Sequence, residues 1–270
     1  MPVDKIFTTD LTPQQVGLII DDLAHLRLIA DLELSPRYPD FDGKPYPLGR
    51  CKEIRDKVFS LLQERLKKAQ QPGLVLIRQQ LEKGIGLEKK WGSLRDEYFQ
   101  NAMVLGDWYI DVSNDTVNPN KPRVEMLPLN EANFSAISSF EQFVKVARPY
   151  WGVEVYQNNV LPALAPLLPL ICVNGRGKSR LGYASSDMFS LAMNSQFAAS
   201  KRILSSLPAP PKELADKWRK LLGELPQNDL LLQQGDPLEY CEEYKDKQYY
   251  LDKKICERVL AAYFLLPTSL

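Results

Sequence analysis

The chain is poorest in histidine, since His25 is its only one. A single imidazole excludes catalytic and metal-binding arrangements that need two, such as zinc sites of the His₂ or His₃ type. It also leaves any cysteine-dependent mechanism with one possible imidazole base, and that base would have to come from a position before every cysteine in the chain.

The sequence also lacks a net charge and a closely spaced cysteine pair. Lysine and arginine total 34 against 34 aspartate and glutamate residues, so the bulk charge predicts no nucleic-acid partner. The four cysteines include no C-x-x-C motif, so neither a zinc knuckle nor a dithiol redox motif is expected. We expect reduced, mostly buried thiols, with no metal and no cofactor. These cysteines are Cys51, Cys172, Cys241 and Cys256.

No apolar run is long enough to cross a bilayer. The longest one, from Leu161 to Val173, is interrupted by three prolines. Residues 1–12 have no long apolar stretch and do not resemble a cleaved signal peptide. We expect a cytoplasmic protein of bacterial type, with no membrane segment.

Several helices are predicted from capping residues and apolar periodicity. Thr12-Pro13-Gln14-Gln15 is a capping box that opens a helix over residues 13–32. A loop rich in proline follows, and a second helix begins near Cys51 and is terminated by Pro72-Gly73. A shorter helix is predicted over 74–83, and the second half of the chain should be helix-rich, with helices at about 138–148, 187–205, 212–223 and 237–264.

The centre of the chain predicts strands. Residues 98–105 and 108–112 flank Gly106-Asp107, a two-residue turn with glycine first, as a type II′ hairpin prefers. A further strand is predicted over 123–129. Together these patterns predict an α+β fold in which a small antiparallel sheet packs against helices. We expect one domain over 1–270, with a possible sub-division into a 1–135 α+β core and a 136–270 helical part.

Cys51 is the first candidate functional residue. It follows Pro47-Leu48-Gly49-Arg50, and the amides of a first helical turn, together with Arg50, would favour its thiolate. Equally, Cys51 continues the apolar stripe of its own helix, which predicts a packing role. Both interpretations remain open.

A Pro-x-Gly-x-Cys stretch that opens a helix, with a later hairpin, resembles the core of papain-like and transglutaminase-like thiol enzymes. The resemblance covers residues 46–112. It implies that the helix supplies a cysteine, the first strand a histidine, and the next strand a residue that orients the histidine. Here Asp111 matches the orienting position, while Asn101 or a neighbour stands where histidine belongs. Since no histidine follows Cys51, the resemblance implies a catalytically inactive member.

His25 and the Asp111–Thr116 segment each have two or more interpretations. His25 lies four residues after Asp21, which predicts an ordinary helical ion pair, although it could be a base that reaches Cys51 or an axial haem ligand. The segment from Asp111 to Thr116 could hold a hard cation, but it departs from the EF-hand pattern and is typical of a turn in which side chains cap backbone amides.

A second candidate site is the basic loop between the apolar run and the next predicted helix. Free amides and three cations there could bind an anion, although the spacing does not match a Walker A motif. A solvated connecting loop is the alternative. The candidate ligand-binding residues are Gly175, Arg176, Gly177, Lys178, Ser179 and Arg180.

The leading functional interpretation is a soluble binding or regulatory protein, possibly a catalytically inactive papain-like fold, because no complete catalytic set can be assembled. Its partner would be an unidentified protein or small molecule. One alternative is a thiol-dependent hydrolase or acyltransferase that uses Cys51 with Asn101, Asp111 or His25. The other is an enzyme or binding protein for a phosphorylated ligand that uses the Gly175–Arg180 loop.

Overall fold

The computed structural model describes residues 10–225 and 228–270. The chain divides into two compact units, with the boundary between Ala136 and Ile137. Helices and small antiparallel sheets make up both units, which confirms the predicted α+β class. The prediction about a signal peptide falls mostly on residues 1–9, which lie outside the described residues.

The first unit is built from four helices and seven strands in its described part. They are α1 (Pro13–Leu34), β1 (Asp40–Phe41), β2 (Lys44–Pro45), α2 (Cys51–Leu66), α3 (Pro72–Glu82), β3 (Leu87–Leu94), β4 (Tyr98–Leu105), β5 (Trp108–Asp111), β6 (Glu125–Pro128), α4 (Leu129–Ala132) and β7 (Phe134–Ala136).

The first helix forms as the sequence predicts. The side chain of Thr12 accepts a hydrogen bond from the Gln15 amide, and the Gln15 side chain accepts one from the Thr12 amide, which completes the capping box. Its apolar face packs with α2, α3 and one face of the sheet in a shared core. Removal of this apolar surface from water is what holds the helical layer on the sheet.

The main sheet is antiparallel, with strand order β6-β5-β4-β3-β7. The predicted hairpin is present, since Leu105 pairs with Trp108 and Gly106 has a φ of 59°. Successive side chains of a strand point to opposite faces. Met103 and Ile110 therefore face the core shared with α1 and α2, while Ala102 and Tyr109 face a second cluster on the other side.

The second unit has a three-stranded antiparallel sheet, in the order β10-β9-β8, and seven helices in its described part. Its elements are α5 (Phe140–Trp151), β8 (Val153–Gln157), a 3₁₀ turn (Pro162–Leu164), β9 (Leu170–Asn174), β10 (Ser179–Leu181), α6 (Ser186–Asn194), α7 (Ala198–Ser206), α8 (Lys212–Leu222), α9 (Asp229–Leu232), α10 (Pro237–Asp246), a 3₁₀ turn (Tyr249–Leu251) and α11 (Lys253–Phe264).

Two of the predicted helices are each divided in two, and this was an error of the sequence analysis. The helix predicted over 187–205 is interrupted at Phe197, with a φ of 63°, and the one predicted over 237–264 is interrupted at Gln248, with a φ of 54°. Residues other than glycine seldom adopt this left-handed conformation, and neither break has a glycine or proline to mark it in the sequence.

No helix among the described residues is long and apolar enough to span a membrane.

Candidate functional site

Cys51 is the first residue of α2, as predicted, and the preceding loop holds it against the segment that follows β5. Gly49 has a φ of 74°, and its amide donates a hydrogen bond to the Thr116 carbonyl at 3.1 Å. A Cβ at Gly49 would lie 2.5 Å from a ring carbon of Phe41. The positive φ favours glycine at the position two residues before the thiol, and a Cβ there would also force the exposed Phe41 ring to move.

The structure brings Cys51 and Asn101 together. Asn101 is on the face of β4 that packs against α2, and its Nδ2 donates a hydrogen bond to the Cys51 Sγ at 3.3 Å. An amide NH₂ group can donate a proton in a hydrogen bond, but it has no basic lone pair that could remove one from a thiol. The group beside the sulfur is therefore a hydrogen-bond donor and not a general base.

Asp111 lies on the opposite face of the sheet from Asn101. Its carboxylate accepts hydrogen bonds from the Ser113 amide at 2.8 Å and the Ser113 hydroxyl at 2.9 Å, from the Tyr109 hydroxyl at 3.2 Å, and from the Gln100 side chain. Within the described chain it makes no hydrogen bond to Asn101. Cys51, Asn101 and Asp111 follow one another along the chain in the order that the resemblance implies. Asp111 does not, however, orient the residue that faces Cys51.

Burial raises the pKa of the Cys51 thiol. The Asn101 hydrogen bond acts in the opposite direction, while the negative charges of Asp111 and Glu53 raise the pKa further. The sequence analysis expected the first helical turn and Arg50 to favour the thiolate, and this stays a prediction. The Arg50 guanidinium instead lies over the rings of Tyr38 and Phe41, 4.8 and 4.9 Å from their centroids.

Burial also raises the pKa of Asp111, although each of its four hydrogen-bond donors acts to lower it. The Gln100 side chain is 2% exposed and its Oε1 atom has no hydrogen-bond partner in the described structure. The Gln100 Nε2 group donates to Asp111, while its Oε1 atom is a buried acceptor without a donor, which is costly. The cluster around Asp111 is thus a buried polar network beneath the sheet.

His25 is exposed on α1 and is not part of this site. Within residues 10–225 and 228–270 the structure gives it no hydrogen bond or ion pair, so the predicted pairing with Asp21 is not present. The Asp111–Thr116 segment forms a capped turn, in which Thr116 Oγ1 donates to the Ser113 carbonyl at 2.7 Å. No group of three or more potential metal ligands occurs in the described part of the chain.

A buried ion-pair network that the sequence analysis did not identify lies on the other side of this turn. Arg27 is fully buried, and its guanidinium binds Asp115 through two nitrogens at 2.8 and 3.2 Å. It also donates to Asp31 and to the Val112 carbonyl, both at 2.7 Å. A signal for it exists in the sequence, because Arg27 falls on the apolar face of α1, beside Leu26.

This network forms the floor of a cavity of about 570 Å³. Asp31 accepts further hydrogen bonds from the Tyr46 hydroxyl at 2.5 Å and from Arg123 at 3.1 Å, and Arg123 is half exposed. Two arginines face two aspartates here, so the floor has no net charge. Leu28 and Leu32, both exposed, line the same cavity and provide an apolar wall.

Residues 175–178 form the turn of the β9–β10 hairpin and not a link from a strand to a helix, and Ser179 and Arg180 are the first two residues of β10. The amides of Arg176 and Lys178 both donate to the Asn174 side chain at 3.0 Å, so the amides that were expected to bind an anion already have an acceptor. Ser179 is buried and accepts a hydrogen bond from Trp218 Nε1 at 3.0 Å. Arg180 lies over the ring of Trp151, 5.0 Å from its centroid. The anion-binding interpretation stays a prediction, without the free amides on which it was based.

Comparisons with protein families, with curated proteins and with solved structures find no match for this chain.

Proposed function

We propose that this protein is a binding or regulatory protein whose thiol-enzyme-like site performs no catalysis. The observation that carries the proposal is the hydrogen bond from Asn101 Nδ2 to Cys51 Sγ. A thiol nucleophile needs a neighbouring base or a lowered pKa. Asn101 supplies no base, and burial raises the pKa of Cys51.

The arrangement of Asp111 supports the same conclusion. In a thiol enzyme of the papain-like kind, the third residue orients the base beside the sulfur. Here the carboxylate of Asp111 is occupied beneath the sheet by Gln100, Tyr109 and Ser113. These contacts give Asp111 a structural role, in which it fixes the turn that joins β5 to the buried Arg27 network.

We place the binding site at the cavity above Arg27. Ligand sites commonly combine an apolar wall with a few fixed polar groups, in a volume of roughly 300–1,000 Å³. The cavity has both features, with Leu28 and Leu32 on one side and the Asp31 and Arg123 side chains on the other. Because its charges balance, it favours a neutral or zwitterionic group over a polyanion. A cytoplasmic location and a bacterial type of protein remain predictions from the sequence.

The experiment that tests the absence of catalysis is acyl transfer from an activated ester. The full chain is incubated with p-nitrophenyl acetate at neutral pH, and peptide mass spectrometry locates any acetyl group. We expect no acetyl-Cys51, and no difference in ester hydrolysis between the protein and its Cys51→Ser variant. Rapid acetylation of Cys51 followed by turnover would overturn the proposal and favour the thiol-dependent hydrolase or acyltransferase.

The variant Asn101→His provides a matched comparison, since it places an imidazole at the position that faces the sulfur. We expect it to increase the rate of Cys51 acetylation, because an imidazole can accept the thiol proton. The unchanged Cys256 serves as the internal reference in both proteins. If Asn101→His leaves the rate unchanged while the native protein is already acetylated, another base acts on Cys51 and the proposal fails.

A further inference from the structure

A second cavity lies entirely within the second unit, between α6 and α11. Its volume is about 600 Å³, and the 3₁₀ turn Tyr249–Leu251 borders it. Phe189 and Met193 of α6 face Leu260 of α11 across it, and Leu251 at its edge is 72% exposed. Large apolar side chains that line an open cavity leave apolar surface in water, which an apolar ligand would remove.

Two sulfur atoms lie close together in the lining of this cavity. Cys256 Sγ lies 3.1 Å from Met193 Sδ, and both residues line the cavity. Cys256 is a free thiol, it is partly exposed, and burial raises its pKa. The lining beside these atoms therefore has the weakly polar, adaptable character that suits a hydrocarbon chain.

One formal charge lines the cavity, the ammonium group of Lys253 at the start of α11. Within the described residues Lys253 has no ion-pair or hydrogen-bond partner for its side chain, whereas the neighbouring carboxylate of Asp252 is used, as it accepts a hydrogen bond from the Lys254 amide at 2.9 Å. Because Asp252 already caps the first turn of α11, the ammonium group of Lys253 alone favours a negative group at this end of the cavity. The complementary ligand has an apolar body and a single anionic end.

We propose that this cavity binds a medium-chain fatty acid, with the chain between α6 and α11 and the carboxylate at Lys253. The site is independent of the proposed function of the first unit. A cavity of this size is typical of small-molecule sites. Each methylene group that enters it should tighten binding about fourfold, on the basis of about 0.8 kcal/mol for each buried CH₂ group.

The test measures protection of Cys256 in the full chain. N-ethylmaleimide labelling of Cys256 and Cys51 is followed by peptide mass spectrometry, with decanoate, decanol or decylammonium present below micellar concentrations. We expect decanoate to slow the labelling of Cys256 and to leave Cys51 unaffected. Decanol should protect less well, and decylammonium least, because Lys253 repels it. Octanoate should need roughly a sixteenfold higher concentration than decanoate, as two methylenes at about fourfold each predict.

Substitutions in the protein test the contribution of each end of the ligand separately. Lys253→Met should reduce protection by decanoate to the level of decanol, while Lys254→Met, next to it but outside the cavity lining, should leave protection by decanoate unchanged. Leu260→Gln should reduce the protection of Cys256 by decanoate and by decanol to the same extent. The proposal is overturned if decanoate leaves Cys256 labelling unchanged, if it slows Cys51 equally, or if decylammonium protects as well as decanoate does.

Discussion

Replacement of Arg27 by methionine should strongly destabilise the first unit. Methionine keeps most of the side-chain volume but removes the charge that faces Asp115, whose side chain is 7% exposed. Loss of one partner from a buried ion pair costs about 3–5 kcal/mol. The Val112 carbonyl also loses its donor. Because the adjacent cavity can admit water to Asp115, we expect a loss near the lower limit, about 3 kcal/mol.

Arg123→Met is the matched control. Arg123 binds the same Asp31 at 3.1 Å, but its side chain is 50% exposed. An exposed ion pair contributes about 0–1 kcal/mol, so this variant should be close to the native protein. The double variant Arg27→Met/Asp115→Asn should recover part of the loss, since it removes the uncompensated carboxylate along with the arginine.

Hydrogen exchange measured by mass spectrometry on the full chain is the suitable assay, because it reports the two units separately. Arg27→Met should lower the free energy of exchange for the most protected amides of α1 and β4, with no change in the second unit. If Arg27→Met lowers the free energy of exchange by no more than Arg123→Met does, Arg27 does not act as a buried structural charge.

Three further predictions concern a buried acid, a glycine contact and a hairpin. Burial raises the pKa of Asp111 above its usual 3.8, so the stability that this group contributes is complete below pH 3.8 and is lost as the pH rises through the pKa of the folded state. Urea unfolding at several pH values should therefore show that the free energy of unfolding of Asp111→Asn increases relative to that of the native protein above pH ~4. Gly73→Ala should lower stability by about 1–3 kcal/mol, because its Cβ would lie 2.2 Å from a carbonyl oxygen of α1, whereas Gly17→Ala, with nothing within 4 Å, should not destabilise. Inorganic phosphate should leave the thermal midpoint of the native protein unchanged, because Asn174 already binds the loop amides; stabilisation that Lys178→Ala abolishes would support the anion site instead.

Local signals in the sequence predicted much of the first unit. The capping box at Thr12 and the glycine at position 106 each specify one backbone geometry, and both are present. β3 was missed because three charged residues at its start, from Glu88 to Lys90, are exposed and hide the alternation of a strand. The breaks at Phe197 and Gln248 were missed because neither residue is a glycine, the residue that ordinarily marks a left-handed conformation in a sequence.

The candidate site shows a different limit. The sequence predicted that Cys51 and the hairpin lie together, and the structure places Asn101 beside the sulfur. The order of residues along a chain does not specify on which face of a sheet a side chain lies. That depends on strand register, because a shift of one residue reverses the face. The register of β4 with β5, in which Met103 pairs with Ile110, puts Asp111 on the same face as Gln100 and away from Asn101.

The most direct test of a non-catalytic Cys51 is the pH dependence of its reaction with iodoacetamide. The rate at Cys51 would be measured by peptide mass spectrometry from pH 5 to pH ~10.5 in the native protein, under conditions where it stays folded. Because burial raises the pKa of Cys51, we expect the midpoint to lie above the ordinary thiol value of about 8.5. A midpoint below pH 7 would mean that a base or a positive charge activates Cys51, and it would contradict the account.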